Sequence, residues 1–340
     1  MKPKLRVLVS ETHNPWFNIA TEEWIFRDMD PSVQTLFLWR NAETVVIGRN
    51  QNPWSECNLS RMETDSVQLA RRASGGGAVF QDLGNTCFTF LSPRRAYNRD
   101  TNNRIVLAAL ASFGINAEAS GRNDLVVPHA DGPRKVSGSA FFESSDRAFH
   151  HGTLLMNTDL GRLENYLTPH PKKLASKGRA SVRARVMNLS EIAADIRHET
   201  LSPRLVEAFA AAHQGEAEIK ILDEATLRSI PSLQNYFEKY ASWDWRFGQA
   251  PSFEHEMTEY LSWGFVQVFV DSERGHITRA RVFSDTLFPD MVEDFEGRLV
   301  GRAYSALGIS AALAETEKLH PARRAELLEL GSWLKTQIEV

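Results

Sequence analysis

Apolar and polar positions alternate along this chain in two rhythms, and the switches between them lay out its elements. Leu5 to Ser10 is a short apolar run that predicts a strand. Asn14-Pro15 then supplies an N-cap and a proline at the first helical position. Trp16, Ala20 and Trp24 recur every four residues, flanked by Phe17 and Ile25, which predicts an amphipathic helix ending before Pro31, with its tryptophans in the core. Val33 to Trp39 and Thr44 to Ile47 are β-rich, and the polar Arg40-Asn41-Ala42-Glu43 between them reads as a hairpin connection. Cys57 to Asp65 and Thr101 to Phe113 have helical spacing, the second closed by Gly114.

The middle of the chain predicts a three-stranded meander, Ala117 to Val127, Arg134 to Phe142 and Ala148 to Leu155. Its strand positions carry unusually small, polar residues, which leave room for a groove. Leu160 to Leu167 is a short helix stopped by Pro169. From His170 to Arg185 there is no acid but six basic residues, among them Lys177, and no apolar period. A solvated charged loop and a lid over a ligand both fit that stretch. Asn188 to Ile196 and Pro203 to His213 read as helices, Ala217 to Leu222 as a strand and Leu227 to Tyr240 as mostly helical. The stretch WDWRFGQAP, Trp243 to Pro251, reads as a linker, dividing the chain into 1–243, a connection at 244–251, and a small unit at 252–340. In that unit three strands, Phe253 to Leu261, Gly264 to Val270 and His276 to Phe283, precede helices over Val292 to Leu307, Ala311 to Leu319 and Pro321 to Trp333.

One stretch breaks both rhythms. LARRASGGGAVFQDLGN, Leu69 to Asn85, runs two arginines into three consecutive glycines, with Gly84 to Leu91 as the return strand. Glycine in a strand costs backbone entropy and packs nothing, so a triplet needs a reason. Backbone N–H groups approaching an anion beside fixed cations would be one, and a flexible turn is the other. The pattern is not a P-loop, since no Gly-Lys-Ser/Thr follows, nor a dinucleotide fingerprint, since Phe80 stands where the third glycine belongs.

Composition narrows the ligand class. With a net charge of -4 the chain is a poor general nucleic-acid binder, so basic groups must act locally. Two cysteines, Cys57 and Cys87, outside any Cys-x-x-Cys pair, argue against a disulfide framework or a cysteine zinc site and suit a reducing cytoplasm. The N-terminal apolar stretch turns polar too soon for a signal peptide, and no run approaches a membrane span. Lys135 then stands out, a strand lysine among Val136, Ser137, Gly138, Ser139 and Ala140. It can guard a sheet edge, or reach into a groove and hold two negative groups together. Asn123-Asp124 on the paired strand could orient it or help hold a metal.

Taken together, ARRASGGGAVFQDLGNTCFTF, GRNDLVV, RKVSGSA and HHGTLLMN, in this order and spacing, closely resemble the bacterial lipoate–protein ligase family. NPWFNIATEEWIFR and TVVIGRNQNPWSECN match the same family, and the resemblance runs from about residue 5 to the end. It implies an α/β (α+β) two-domain architecture: a biotin/lipoate-ligase-like catalytic domain of mixed sheets with flanking helices, then a small α+β accessory domain. It implies ATP-dependent activation of lipoate to lipoyl-AMP with release of pyrophosphate, assisted by Mg2+. The lipoyl group would pass to a lysine of apo carrier domains, those of the 2-oxoacid dehydrogenase acyltransferase subunits and the glycine-cleavage carrier protein. A cytoplasmic monomer with no nucleic-acid or membrane partner is expected.

Carried over by motif, Arg72, Gly77, Ala78, Val79, Phe80 and Lys135 contact ATP, with Lys135 as the catalytic group. Lys135, Ser74, Gly75, Gly76 and His151 contact lipoate, and Asn123, Asp124, Lys177, Gly178 and Val182 the adenylate, with Asp124 as the metal candidate. Trp39, Val79 and Phe149 are candidate walls for the apolar lipoate tail. One position departs from the pattern: where the family commonly has His-Asp after Gly-Gly-Gly-Ala-Val-Phe, this chain has Gln81-Asp82, and Gln81 can donate and accept hydrogen bonds but cannot titrate. Two rivals remain. An ATP-independent octanoyl or lipoyl transferase of the same superfamily needs a thiolate, and its cysteine position is Ala148 here. A non-catalytic lipoate-binding protein would have no use for Lys135.

Overall fold

The structure is a computed structural model and describes residues 4–167, 186–247 and 255–338. Its frame is an eight-stranded sheet in the order β11-β1-β2-β6-β10-β9-β8-β7. The strands are β1 (Leu5–Ser10), β2 (Gln34–Trp39), β6 (Asn85–Pro93), β7 (Glu118–Ser120), β8 (Asp124–Val127), β9 (Arg134–Glu143), β10 (Arg147–Leu155) and β11 (Ala217–Leu222). β1 runs parallel to β2 and β11, and the other pairs are antiparallel. Because strand side chains alternate, each face gathers its own core. Leu36, Leu38, Phe88 and Phe90 pack against the helices Arg99–Ala111 and His198–His213. Phe37, Trp39, Leu91 and Phe149 face α1 (Pro15–Asp28) and the helix Pro231–Ala241.

The Asn14 side chain accepts from the Trp16 and Phe17 amides, the cap the sequence predicts. α1 lies between the sheet and the Pro231–Ala241 helix and is buried on almost every side, so Trp16 and Trp24 are only half-buried while Glu22 and Glu23 are buried. A second, three-stranded sheet, β4-β3-β5, is made of β3 (Thr44–Ile47), β4 (Gln68–Arg71) and β5 (Val79–Gln81). Behind the chain's Trp243–Phe247 turn of helix, β12 (His255–Leu261), β13 (Gly264–Glu273) and β14 (His276–Ser284) form an antiparallel sheet. The helices Pro289–Leu299, Ala306–Leu319 and Arg324–Ile338 cover it around Val266, Val268, Phe295 and Leu330. Among the described residues no helix is long and apolar enough to cross a membrane.

Several expectations fail for identifiable reasons. Val33–Trp39 and Thr44–Ile47 form no hairpin, because β2 pairs in the large sheet and β3 in the small one. Gly84–Leu91 is not the return strand of the glycine stretch: β5 inside that stretch pairs with β3, and β6 crosses to the large sheet. The meander has four strands, since Gly121 at φ +59° turns the chain between β7 and β8. Asn188–Ile196 contains only a 3-10 turn, and the next helix starts at His198 with Pro203 inside it. Pro289–Leu299 ends well short of Leu307, followed by Gly301 at φ +82°.

Candidate active site

A register row crosses the large sheet through Trp39, Cys87, Thr153, Gly138 and Asp124. Cross-strand partners share a face, so this row runs from an indole to a carboxylate over four strand spacings, roughly 19 Å. A cavity of about 280 Å³ opens along it. Its polar end carries Arg122, Asn123, Asp124, Lys135 and Ser139, and its apolar end Ile19, Trp39, Val46 and Val79.

Lys135 reaches the cavity by an irregularity. Asp124 pairs with Gly138 and Leu125 with Ser137, but Val126 pairs with Lys135, so Val136 is skipped. A bulge of this kind resets the alternation, and it brings Lys135 to the face that holds Asp124 and Gly138. The Lys135 Nζ lies 2.7 Å from Asp124 Oδ1, with both side chains about one-third exposed, at 35%. Gly138 makes the room: a Cβ there would stand 2.8 Å from the Nζ.

The glycine stretch wraps the other side of the cavity. Both arginines face inward to hold it. Arg72 donates to Ser74 Oγ and to the carbonyls of Gly75, Gly77 and Val46. Arg71 donates to the carbonyls of Gly48, Arg49, Gln51, Trp245 and Arg246. Burial pulls both guanidinium pKa values down to about 10, which leaves them charged at neutral pH. The expectation of two cations turned toward an anion is corrected: carbonyls of the loop and its neighbours take their donors, although Arg72 still borders the cavity. Gly76, Gly77, Ala78 and Val79 line it. Phe80 does not, because alternation in β5 turns its ring to Tyr166 in a separate core.

A buried chain of hydrogen bonds closes the apolar end. Trp39 Nε1 donates to Thr89 Oγ1 at 3.3 Å, and Thr89 Oγ1 donates to Glu22 Oε1 at 2.6 Å. His151 Nδ1 lies 2.8 Å from the same Glu22 oxygen, and its Nε2 lies 2.8 Å from Ser74 Oγ. A carboxylate only accepts, so His151 donates from Nδ1 to Glu22, and its other nitrogen meets the Ser74 hydroxyl. Ser74 is thus tied behind the loop and His151 borders the cavity. Phe149 is no wall. It shares the face of His151 but lies two residues farther under α1, against Phe26 and Phe142. Its neighbour His150 points the other way, fully buried between Phe88 and Phe90 with no partner among the described residues for either nitrogen, and burial pushes its pKa down to about 3.

The accessory unit supplies a third wall. Tyr260, Asp285 and Leu287 border the cavity. The Gly76 amide donates to Thr286 O at 2.8 Å, and a Cβ on Gly75 would meet that same oxygen at 2.1 Å. Arg49 pairs with Asp290 and Glu293 across the same seam. The triplet therefore packs backbone to backbone against the accessory unit, a use the sequence reading did not foresee. That reading also missed Ile19, Glu22, Arg122 and Thr153, and it gave Gln81 no role. Glu22 left a trace, since acids within an otherwise apolar helix signal a buried polar task; the accessory residues left none. Lys177, Gly178 and Val182 lie outside the described residues.

A family model described as the lipoyl protein ligase A/B catalytic domain matches residues 14–210, and one described as the bacterial lipoate protein ligase C-terminus matches 250–334. The chain belongs to the lipoate–protein ligase family. Lipoate-protein ligase A of Bdellovibrio bacteriovorus is 51% identical over 337 residues, covering 99% of each chain. Among solved structures, P. falciparum LipL1 in complex with lipoate superposes with a TM-score of 0.84 at 32% identity, covering 98% of this chain and 99% of that one. A lipoate-protein ligase A bound with ATP gives 0.60 at 25% identity, covering 73% and 99%.

Proposed function

We propose that this chain joins lipoate to protein in two steps, with ATP and lipoate as substrates. In the first, the lipoate carboxylate attacks the α-phosphate of ATP; an O–P bond forms, the bond to pyrophosphate breaks, and lipoyl-AMP results. In the second, a carrier lysine amine attacks the acyl carbonyl, AMP leaves, and the amine gives up a proton. The observation that carries this reading is the polarity of the cavity: one end holds Lys135 with Asp124 and Arg122, and the other is an apolar slot under Trp39 and Val79. An acid with an apolar tail and an anionic partner fits it in one orientation only.

Lys135 is the catalytic group. Carboxylate and phosphate repel, and an ammonium between them offsets that repulsion and stabilises charge as it spreads onto phosphate oxygens. Its pairing with Asp124 holds it in place until the anions arrive. Gly77, Ala78 and Val79 present backbone to the nucleotide, and Arg72 holds that loop in shape. Asn123 donates to Ser139 O at 2.7 Å, fixing the loop beside Asp124. Among the described residues no three His, Cys, Asp or Glu side chains gather to hold a metal. A lone Asp124 fits magnesium, which phosphates largely hold and which there would offset charge on the departing pyrophosphate.

The thiol-dependent rival finds no support in the geometry. Cys57 and Cys87 are both buried and neither lines the cavity, although Cys87 lies in the register row beneath it, and burial pushes the Cys57 thiol up to about 12 and raises Cys87 as well. Residues 1–243 are assigned the chemistry and 252–340 the cover. The acceptors proposed are the lipoyl domains of 2-oxoacid dehydrogenases and the glycine-cleavage carrier. Mass spectrometry of an apo lipoyl domain incubated with lipoate, ATP and this protein is the test: a lipoyl mass gain that requires ATP is expected, and its absence from folded protein sinks the reading.

A further inference from the structure

Four buried side chains form a directed line that ends at the cavity. Ser10 Oγ donates to Asn18 Oδ1 at 2.7 Å. Asn18 Nδ2 donates to Asn41 Oδ1 at 2.9 Å, and Asn41 Nδ2 donates to Gln81 Oε1 at 2.8 Å. All four are buried, and Gln81 borders the cavity. The two ends of a carboxamide are hard to tell apart, so the direction of such a line must come from a group that can only accept. Two such groups are present. Asn18 Nδ2 also lies 3.1 Å from Thr12 O and 2.9 Å from Arg40 O, both backbone carbonyls. They fix Asn18 with its nitrogen toward Asn41. That makes Asn41 accept with its oxygen and donate with its nitrogen. Gln81 must then accept with Oε1, and its Nε2 is the end left over. Among the described residues no protein group accepts from that nitrogen, and it is not one of the fully buried atoms left without a partner, in keeping with a side chain that borders the cavity.

The location decides what the nitrogen meets. Gln81 pairs with Thr44, and Asn41 lies two residues past Trp39, at the apolar end of the register row. Lys135 and Asp124 are at the opposite end. A ligand whose acid group meets Lys135 therefore brings the far end of its tail toward Gln81. We propose that Gln81 is a specificity-determining residue, presenting a fixed N–H donor to the tail end of the acyl slot and so favouring a sulfur-ended chain over an all-methylene chain of similar length. Sulfur lone pairs accept weakly, whereas a methyl terminus accepts nothing and leaves the buried donor unpaired. Asn18 and Asn41 are positioning residues for that donor. The inference rests on lipoate as the ligand proposed above, and it gives a role to the position where this chain departs from its family.

The test uses the full chain and two probes, lipoate and octanoate, with dissociation constants measured by titration calorimetry and pyrophosphate release measured alongside. The wild type should bind lipoate more tightly than octanoate. Gln81→Leu should shrink that preference by about five- to tenfold, because one hydrogen-bond partner at one end of the ligand is at stake. Gln81→His, which restores an N–H, should recover it. Damage to the fold alone would weaken both acids equally and leave the ratio in place. Should Gln81→Leu fail to fold, Asn41→Ala, which frees the amide to turn, should shift the ratio in the same direction by less. A ratio that stays within twofold in a folded Gln81→Leu or Asn41→Ala protein overturns the inference while leaving the ligase reading intact, and so does a wild type that prefers octanoate. Binding that follows the predicted ratios without ATP-dependent pyrophosphate release supports the donor and removes the ligase reading instead.

Discussion

The two ends of the cavity are built on opposite terms. At the polar end, Lys135 and Asp124 keep about a third of their side-chain surface in water and make one direct contact with each other. At the apolar end, Glu22, His151, Ser74 and Gln81 are all buried, and apart from the Gln81 Nε2 their hydrogen bonds are committed to partners that are themselves held. A group that must meet two anions, one of which leaves, gains from being free to exchange partners. A group that only shapes a slot gains from being fixed before the ligand arrives, since ordering it afterwards would subtract from binding. The polar end should therefore control rate, and the apolar end affinity, selectivity and stability.

The sharpest way to break that division is Lys135→Ala. Loss of the single ammonium between carboxylate and phosphate should lower lipoate-dependent pyrophosphate release by about 10²–10³-fold, with circular dichroism and melting temperature nearly unchanged. Retained turnover would move the chemistry elsewhere. Gly138→Ala comes next. The added methyl would stand 2.8 Å from the Lys135 Nζ, so the lysine must move. A displacement of that kind should cost roughly tenfold or more in kcat, with lipoate affinity little changed; an equal loss in both would show that the two ends are not separable.

At the apolar end, Glu22→Ala strips the acceptor from His151 and Thr89. Two buried donors left unpaired should lower stability by about 1–3 kcal/mol each, read by chemical denaturation, together with weaker lipoate binding. A pH effect lies on the reverse of the same strand. An unfolded histidine protonates near pH 6.5, whereas buried His150 stays neutral down to about 3. Above 6.5 neither state carries the proton. As pH falls through 6.5 toward 3 the unfolded state alone takes it up, so stability is lost across that window. Between pH 6.5 and 5 the loss from this residue should be about 2 kcal/mol, and His150→Phe should remove it; identical pH slopes in both proteins would rule His150 out. The smallest effect is expected at the seam between the units. Arg49→Ala removes part-exposed pairs with Asp290 and Glu293 and should change stability by less than about 1 kcal/mol, detected as faster limited proteolysis rather than as a shifted melt.

What was legible in the sequence tracks how local its cause is. The cap at Asn14, the turn after Gly114 and the strands around the glycine stretch depend on a few neighbouring residues, and they appear where the pattern places them. Pairing is not local. β2 and β3 look like a hairpin because four polar residues separate them, yet each finds a better-matched edge in a different sheet. Phe80 and Phe149 sit in or beside motif positions, and nothing short of their strands' pairing tells which way the rings face.

The sequence by itself determined the family, the residue types of the polar end and the presence of a tight glycine loop, because fixed spacings of Arg72, Gly77, Lys135 and His151 are written in the chain. Tertiary structure alone decided how they are used. The skipped Val136 turns Lys135 toward Asp124, the guanidinium groups of Arg71 and Arg72 fold back onto carbonyls, and Thr286 from the far end of the chain meets Gly75 and Gly76. Two acceptor carbonyls far from Gln81 set which end of its amide faces the cavity. Apart from the bonds of Arg72 to Gly75 and Gly77 within its own loop, these outcomes join segments separated along the chain, so a short window does not contain both partners.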